Sequence, residues 1–205
     1  MTPELPEPHP LLIQTDGETP ASWDFQPATG VVLLVPERDR NAIAKTPWAG
    51  LLKKTLARYP ETENPVFLST PYGGRAAVVF VADIIPTFKA LTLARKVVGP
   101  LMAERSAELN VISLMDAEVS ASIMAEALLA AVHADLFQLP RISGKPMEPK
   151  ALEAIHFFGD FENADFRYVE ATAEGNNLAR WLTHLPGNYL TPGIYREFAE
   201  SLADE

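Results

Sequence analysis

Four imidazoles in this 205-residue sequence could ligate a transition metal or shuttle a proton: His9, His133, His156 and His184. No two stand close enough in sequence to form a local ligand pair, and no H-E-x-x-H run is present. His133 falls among apolar neighbours in a helical stretch and His156 in an apolar strand. Both read as partly buried structural histidines. The chain has no cysteine, which removes disulfides, thiolate metal sites and a cysteine nucleophile. Acidic residues are plentiful but dispersed. Glu61-Thr62-Glu63 and Asp160-Phe161-Glu162 read as solvated loop charges, and no D-x-[DN]-x-[DN]-G cluster offers a calcium loop. A serine nucleophile wants a G-x-S-x-G turn between strand and helix. A phosphate wants a glycine-rich loop opening a helix. Neither occurs, and the diglycine Gly73-Gly74 precedes a strand, where it reads as a turn. The expectation is a chain with no catalytic, cofactor-binding or metal-binding residue.

Charge narrows the partners. Acids outnumber bases 27 to 17, for a net charge of −10, which repels phosphate backbones. Lys53-Lys54 with Arg58 is the nearest approach to a basic cluster and reads as a solvated helix face, so no nucleic acid is expected. Residues 1–10 carry four prolines, two acids and no Lys or Arg. They read as a flexible tail, not as a secretory signal. The most apolar strand-like run, residues 31–35, is far too short to span a bilayer. These features predict a cytoplasmic protein without a membrane partner.

Strand-like and helix-like patterns alternate from about residue 11 to 160. Residues 11–14 are a first strand candidate. Residues 31–35 form a continuous β-branched apolar run ended by Pro36, the pattern of a strand covered on both faces. Thr46-Pro47 predicts a helix start, with Trp48, Leu51, Leu52, Leu56 and Tyr59 at helical spacing and Pro60 closing it. Strand candidates at 66–69 and 76–81 flank Pro71-Tyr72-Gly73-Gly74, a hairpin-like turn. A long helix is expected over 87–108, with Gly99-Pro100 as a kink or break. A strand follows at 110–115, then a helix that Asp116 can cap, with Val119, Ile123, Ala127, Leu128 and Ala131 on one face. The last strand candidate is 152–158, and a helix is expected over about 166–185, weakened at Gly175-Asn176-Asn177. Thr191-Pro192 opens a final helix with Ile194, Phe198 and Leu202 at i, i+4, i+8. This order predicts an α/β fold, a mixed central sheet flanked by helices. The final helix ends in Asp204-Glu205 with no cap, and acids at a helix C-terminus are unfavourable. The chain therefore reads as a piece of a longer polypeptide.

Residues 175–192 add a second kind of information. Gly175-Asn176-Asn177-Leu178-Ala179-Arg180-Trp181-Leu182, then His184-Leu185-Pro186-Gly187-Asn188-Tyr189-Leu190-Thr191-Pro192, then Phe198-Ala199, resembles the segment leading into the catalytic domain of leucyl (cytosol) aminopeptidases. That family's pattern is G-A-N-L-A-R-D-L, N-T-P-P-N-x-L-T-P, and a helix beginning near F-A. The departures are His184 for Asn, Leu185 for Thr and Gly187 for the second Pro, which suggest a divergent branch. Ala125-Glu126-Ala127-Leu128-Leu129-Ala130-Ala131 more weakly resembles an A-E-G-x-x-L helix of the same family.

The resemblance implies a division into a tail (1–10), an N-terminal α/β domain similar to macro domains (11–163), and a connector helix with the start of a peptidase domain (164–205). It implies a parent protein that removes N-terminal amino acids from peptides. Two divalent metals, Mn or Zn, would be held in the peptidase domain, where they polarise the carbonyl and activate water. It implies assembly with that domain and as a hexamer, with this part serving assembly and access. None of the family's metal-binding motifs, such as N-T-D-A-E-G-R, is found in these residues, so no catalytic residue is carried over. Two other readings remain: a free-standing macro-like module for ADP-ribose or a nucleotide, and an unrelated small hydrolase.

Overall fold

The computed structural model describes residues 9–59, 63–104, 106–116, 118–139, 150–188 and 190–203. In chain order these form β1 (Leu12–Asp16), β2 (Thr29–Pro36), a 3-10 turn (Arg40–Lys45), α1 (Ala49–Leu56), β3 (Val66–Ser69), β4 (Arg75–Val81), α2 (Thr87–Met102), β5 (Glu108–Ser113), α3 (Glu118–Leu136), β6 (Ala154–Phe158), α4 (Phe166–His184) and α5 (Pro192–Ala203). One sheet of order β1-β6-β5-β2-β4-β3 contains all six strands. All neighbours pair parallel except β3, which runs antiparallel to β4. The expected mixed α/β sheet is therefore observed.

β2 is central and wholly buried. Its alternation feeds two cores, because successive side chains leave opposite faces of a strand. Val32 and Leu34 join Val79 of β4, Val111 of β5 and Phe157 of β6 beneath α2 and α3. Val31, Leu33 and Val35 face the other way, toward Trp23, Ile43, Trp48 and Leu52. There Trp23, Phe25 and Trp48 meet edge to face, with centroids 5.2–6.2 Å apart, a geometry that aromatic quadrupoles favour. The hairpin between β3 and β4 turns at Gly73, whose φ of +87° suits glycine, and Thr70 Oγ1 accepts the Gly74 N–H at 2.9 Å.

Several expectations change. α1 starts at Ala49, three residues past Thr46. Thr46 Oγ1 instead donates to the Ile43 carbonyl at 2.8 Å, closing the preceding 3-10 turn. α1 ends at Leu56, short of Pro60, which lies outside the described residues. α2 includes Pro100 in its last turn and stops at Met102. Glu108, expected as a helix end, opens β5, because the sheet takes over the backbone at Ala107, whose N–H reaches the Ala28 carbonyl at 2.8 Å.

α3 differs most from its expected single apolar face. Val119 is 62% exposed, whereas Ser120, Ala121, Ser122, Met124 and Ala125 are buried with Ala127, Leu128 and Ala131. The helix is enclosed by the sheet, α2 and α4, and its small side chains let these neighbours approach. By length and composition α3 could cross a membrane, but most of it is buried inside this fold. The expected tail falls mainly on residues 1–8, outside the described residues. His9 is held, its Nε2–H donating to the Leu152 carbonyl at 2.8 Å.

Candidate functional site

The four histidines do not converge, and no group of three or more metal-ligating side chains comes together among the described residues. His156 lies on β6 and stacks on Phe158 with centroids 6.3 Å apart. His184 is the last residue of α4. His133, near the end of α3, is partly buried, and its Nε2 has no hydrogen-bond partner. Burial pushes its pKa below the usual 6.5, with Glu170 and Glu174 of α4 pulling upward and His9 adding slightly to the decrease.

In open α/β sheets, ligands bind beyond the carboxyl ends of the strands, where the chain switches direction. Here that point lies between β2 and β5. The rim carries Glu37 and Asp39 after β2, Asp83 after β4 and Glu118 at the start of α3. Its cations are engaged: Arg38 pairs with Asp83 at 3.0 Å, and Arg40 lies 4.1 Å from the centre of the Phe80 ring. Gly159 closes the adjoining space. Its φ is +118°, and a Cβ there would come within 2.9 Å of the Ser113 Cβ. An acidic, tightly packed rim is a poor cradle for a diphosphate.

A cavity of about 310 Å³ lies elsewhere, between α2, α3 and α4. Ile123, Ala127 and Ala130 of α3 form its floor, Thr87 and Leu91 of α2 one wall, and Tyr168, Val169 and Thr172 of α4 the other. Glu126 marks one end, its Oε1 accepting the Asp165 N–H at 2.8 Å. Asp165 in turn caps α4, accepting the Tyr168 N–H at 3.0 Å, the ordinary stabilisation of a helix start. Arg180 marks the other end. The walls of this groove are mainly apolar, and among the described residues that line it no group of three or more metal-ligating side chains comes together.

The residues singled out by resemblance prove to be fasteners. Arg180 donates to the Ala134 carbonyl at 3.3 Å and to Asn177 Oδ1 at 3.2 Å. Its guanidinium also lies 5.1 Å from the centre of the Phe137 ring. It thereby fixes α4 to the C-terminal end of α3, where a cation is favoured. The next residue, Trp181, meets Phe198 of α5 with ring centroids 5.0 Å apart. Leu185 completes this small third core, packed by Phe137, Leu178, Leu182, Leu190 and Ile194. Sequence reasoning missed the groove and the Trp181–Phe198 pair. The one available signal for the pair was the i, i+4 recurrence of Ile194 and Phe198.

No protein-family model and no curated protein matches this sequence. Solved structures do match, and they define the class: the fold is that of the N-terminal domain of leucyl aminopeptidases. In particular, a mutant of tomato leucine aminopeptidase superposes on 99% of this chain and 44% of its own, with a TM-score of 0.69 at 18% identity. The ligand-free leucyl aminopeptidase of Trypanosoma cruzi covers 94% of this chain and 41% of its own, with a TM-score of 0.61 at 14% identity. BotP, a bottromycin maturation enzyme solved with Mn, covers 87% and 36%, with a TM-score of 0.58 at 16% identity. The chain thus spans less than half the length of the proteins it resembles.

Proposed function

We propose that this chain is the N-terminal, non-catalytic part of a leucyl aminopeptidase-type metallopeptidase. The observation that carries the proposal is the superposition of 99% of the chain on under half of such an enzyme. The 175–192 pattern is the independent support. The α/β domain corresponds to residues 11–163, and residues 164–205 to a connector into the peptidase domain. The complete protein would act in the cytoplasm as a hexamer, releasing N-terminal amino acids from peptides. Its two Mn or Zn ions would be held in the peptidase domain. This part would serve assembly and access. The acidic rim argues against the macro-like alternative that binds ADP-ribose or a nucleotide.

Two measurements decide. The purified 205-residue chain, given Mn or Zn and leucine p-nitroanilide, should hydrolyse no more than buffer does. Chelator-sensitive hydrolysis that survives purification would overturn the assignment of this part as non-catalytic. Calorimetry with ADP-ribose should give no binding heat, and stoichiometric binding would favour the macro-like module instead.

A further inference from the structure

β3 and β1 form the two edges of the sheet, and the chain finishes them differently. At the β3 edge a side chain continues the ladder on β4. Asn64 Oδ1 accepts the Phe80 N–H at 3.1 Å, and its Nδ2 donates to the Phe80 carbonyl at 2.7 Å. The β1 edge has no such closure among the described residues. Leu12 donates its N–H to the Glu153 carbonyl at 2.9 Å, and the Asp16 carbonyl accepts the Gly159 N–H at 2.8 Å. Main-chain groups of alternate residues in a strand point to the same neighbour, so Leu12, Gln14 and Asp16 serve β6. Leu11, Ile13 and Thr15 therefore aim their N–H and carbonyl groups outward. None of these outward groups has a hydrogen-bond partner among the described residues.

The edge is also undefended. Native edges are blunted by lysine, proline, a bulge or a covering loop, because open N–H and carbonyl groups template pairing with another chain. Residues 11–15 hold no charge, no proline and no glycine. Leu12, Gln14 and Thr15 are exposed, Leu12 at 55%. Leu11 and Ile13 are half-buried against the helix-side core, so that core runs out to the edge. The spacing of the open groups makes the segment its own complement. An antiparallel copy about a twofold axis at Ile13 sets Ile13 on Ile13, Leu11 on Thr15 and Leu12 on Gln14. Ile13 then exchanges both bonds with its counterpart, and Leu11 with Thr15, so every outward group of the three is used. Apolar Leu11 and Ile13 continue the core across the axis, and a twofold contact closes on itself. Charge selects the same direction. A parallel copy would set Asp16 beside Asp16, and like charges directly opposite are destabilising. The antiparallel copy holds these carboxylates roughly 20 Å apart, beyond the screening length.

We propose that two copies of this chain pair antiparallel through β1, joining their six-stranded sheets into one continuous sheet. The proposal stands whether or not the chain belongs to an aminopeptidase. The contact is smaller than the roughly 1,600 Å² of a standard interface, so the dimer is weak and reversible. Sedimentation velocity on the 205-residue chain should show the mass rising from monomer toward dimer between about 5 and about 500 µM protein. The dimer should tighten as salt rises, because each copy carries −10. Amide exchange read by NMR should slow at Ile13 and Thr15 with rising concentration, while Leu12 and Gln14, already bonded to β6, stay unchanged. Thr15→Pro removes one outward N–H without touching the β6 ladder and should weaken the dimer about tenfold or more. Thr15→Lys keeps every main-chain group and should weaken it about threefold by charging the edge. Circular dichroism checks that both variants remain folded. Phe88→Asp, a change at an 83% exposed residue on the helical side, should leave the dimer unaltered. A monomer at every concentration would overturn the proposal. So would a dimer that Thr15→Pro and Thr15→Lys leave intact, one that Phe88→Asp dissolves, or one in which the Ile13 and Thr15 amides exchange no more slowly than in the monomer.

Discussion

α3 and α4 are both 19 residues long and lie side by side, yet they are held by different physics. α3 is buried at eleven positions and enclosed on several sides, so its place follows from apolar area removed from water. α4 is buried only at Val169 and Trp181. Its position rests on discrete fasteners: the Asp165 cap, the Glu126–Asp165 contact, Arg180 on the end of α3, and the Trp181–Phe198 pair. A helix enclosed by its own core has no surface to offer. A helix pinned at its ends keeps a face available, which is why the groove forms along α4.

Breaking that contrast should have its largest effect at the sheet. Phe157 is fully buried and stacks on Phe166 with centroids 4.5 Å apart, so Phe157→Ala should cost about 3–5 kcal/mol and lower the midpoint of urea unfolding for the whole domain. Trp181→Ala removes a side chain of similar size but should act locally. Amide exchange should accelerate in α5 and the last turns of α4 while the sheet keeps its protection. A global loss of protection would show that α4 and α5 are integral to the main core. Gly159→Ala, forced into a positive φ and against Ser113, should cost about 1–3 kcal/mol, read from the same urea midpoint. Arg180→Ala should cost about 1 kcal/mol, with Arg180→Lys failing to restore it, because a lysine cannot match the guanidinium fork over Phe137.

The smallest effect concerns pH. The pKa of His133 is lowered in the folded state, so the unfolded chain binds more protons as pH falls below 6.5. Its contribution to stability is full above that pH and declines as pH drops toward the folded pKa. His133→Gln should flatten the stability profile between neutral and mildly acidic pH, as followed by thermal unfolding in a pH series. An unchanged slope would show that Glu170 and Glu174 offset burial completely.

Legibility followed the range of the interaction involved. β2 was readable because a strand covered on both faces must be apolar at every position, and residues 31–35 are. The run through Gly175 was readable as a weak helix, and it forms without a break because caps and packing on α3 outweigh one glycine's propensity cost of roughly 1 kcal/mol. The start of α1 was misplaced because Thr46 had two hydroxyl partners to choose from. It satisfies the turn behind it, and a local pattern does not express that competition. The groove was not readable at all, since its walls come from three helices separated by long stretches of chain.

The sequence by itself determined the alternation of strands and helices, the double-sided character of β2 and the turn at Gly73. These are matters of periodicity, backbone preference and side-chain chemistry, all carried within a few residues. Only the tertiary structure decided the strand order, the enclosure of α3, the attachment of α4 and α5 through Arg180 and Trp181, and the apolar groove. Each of these depends on which distant surface removes a given side chain from water, and that partner is selected by the packing of the whole chain.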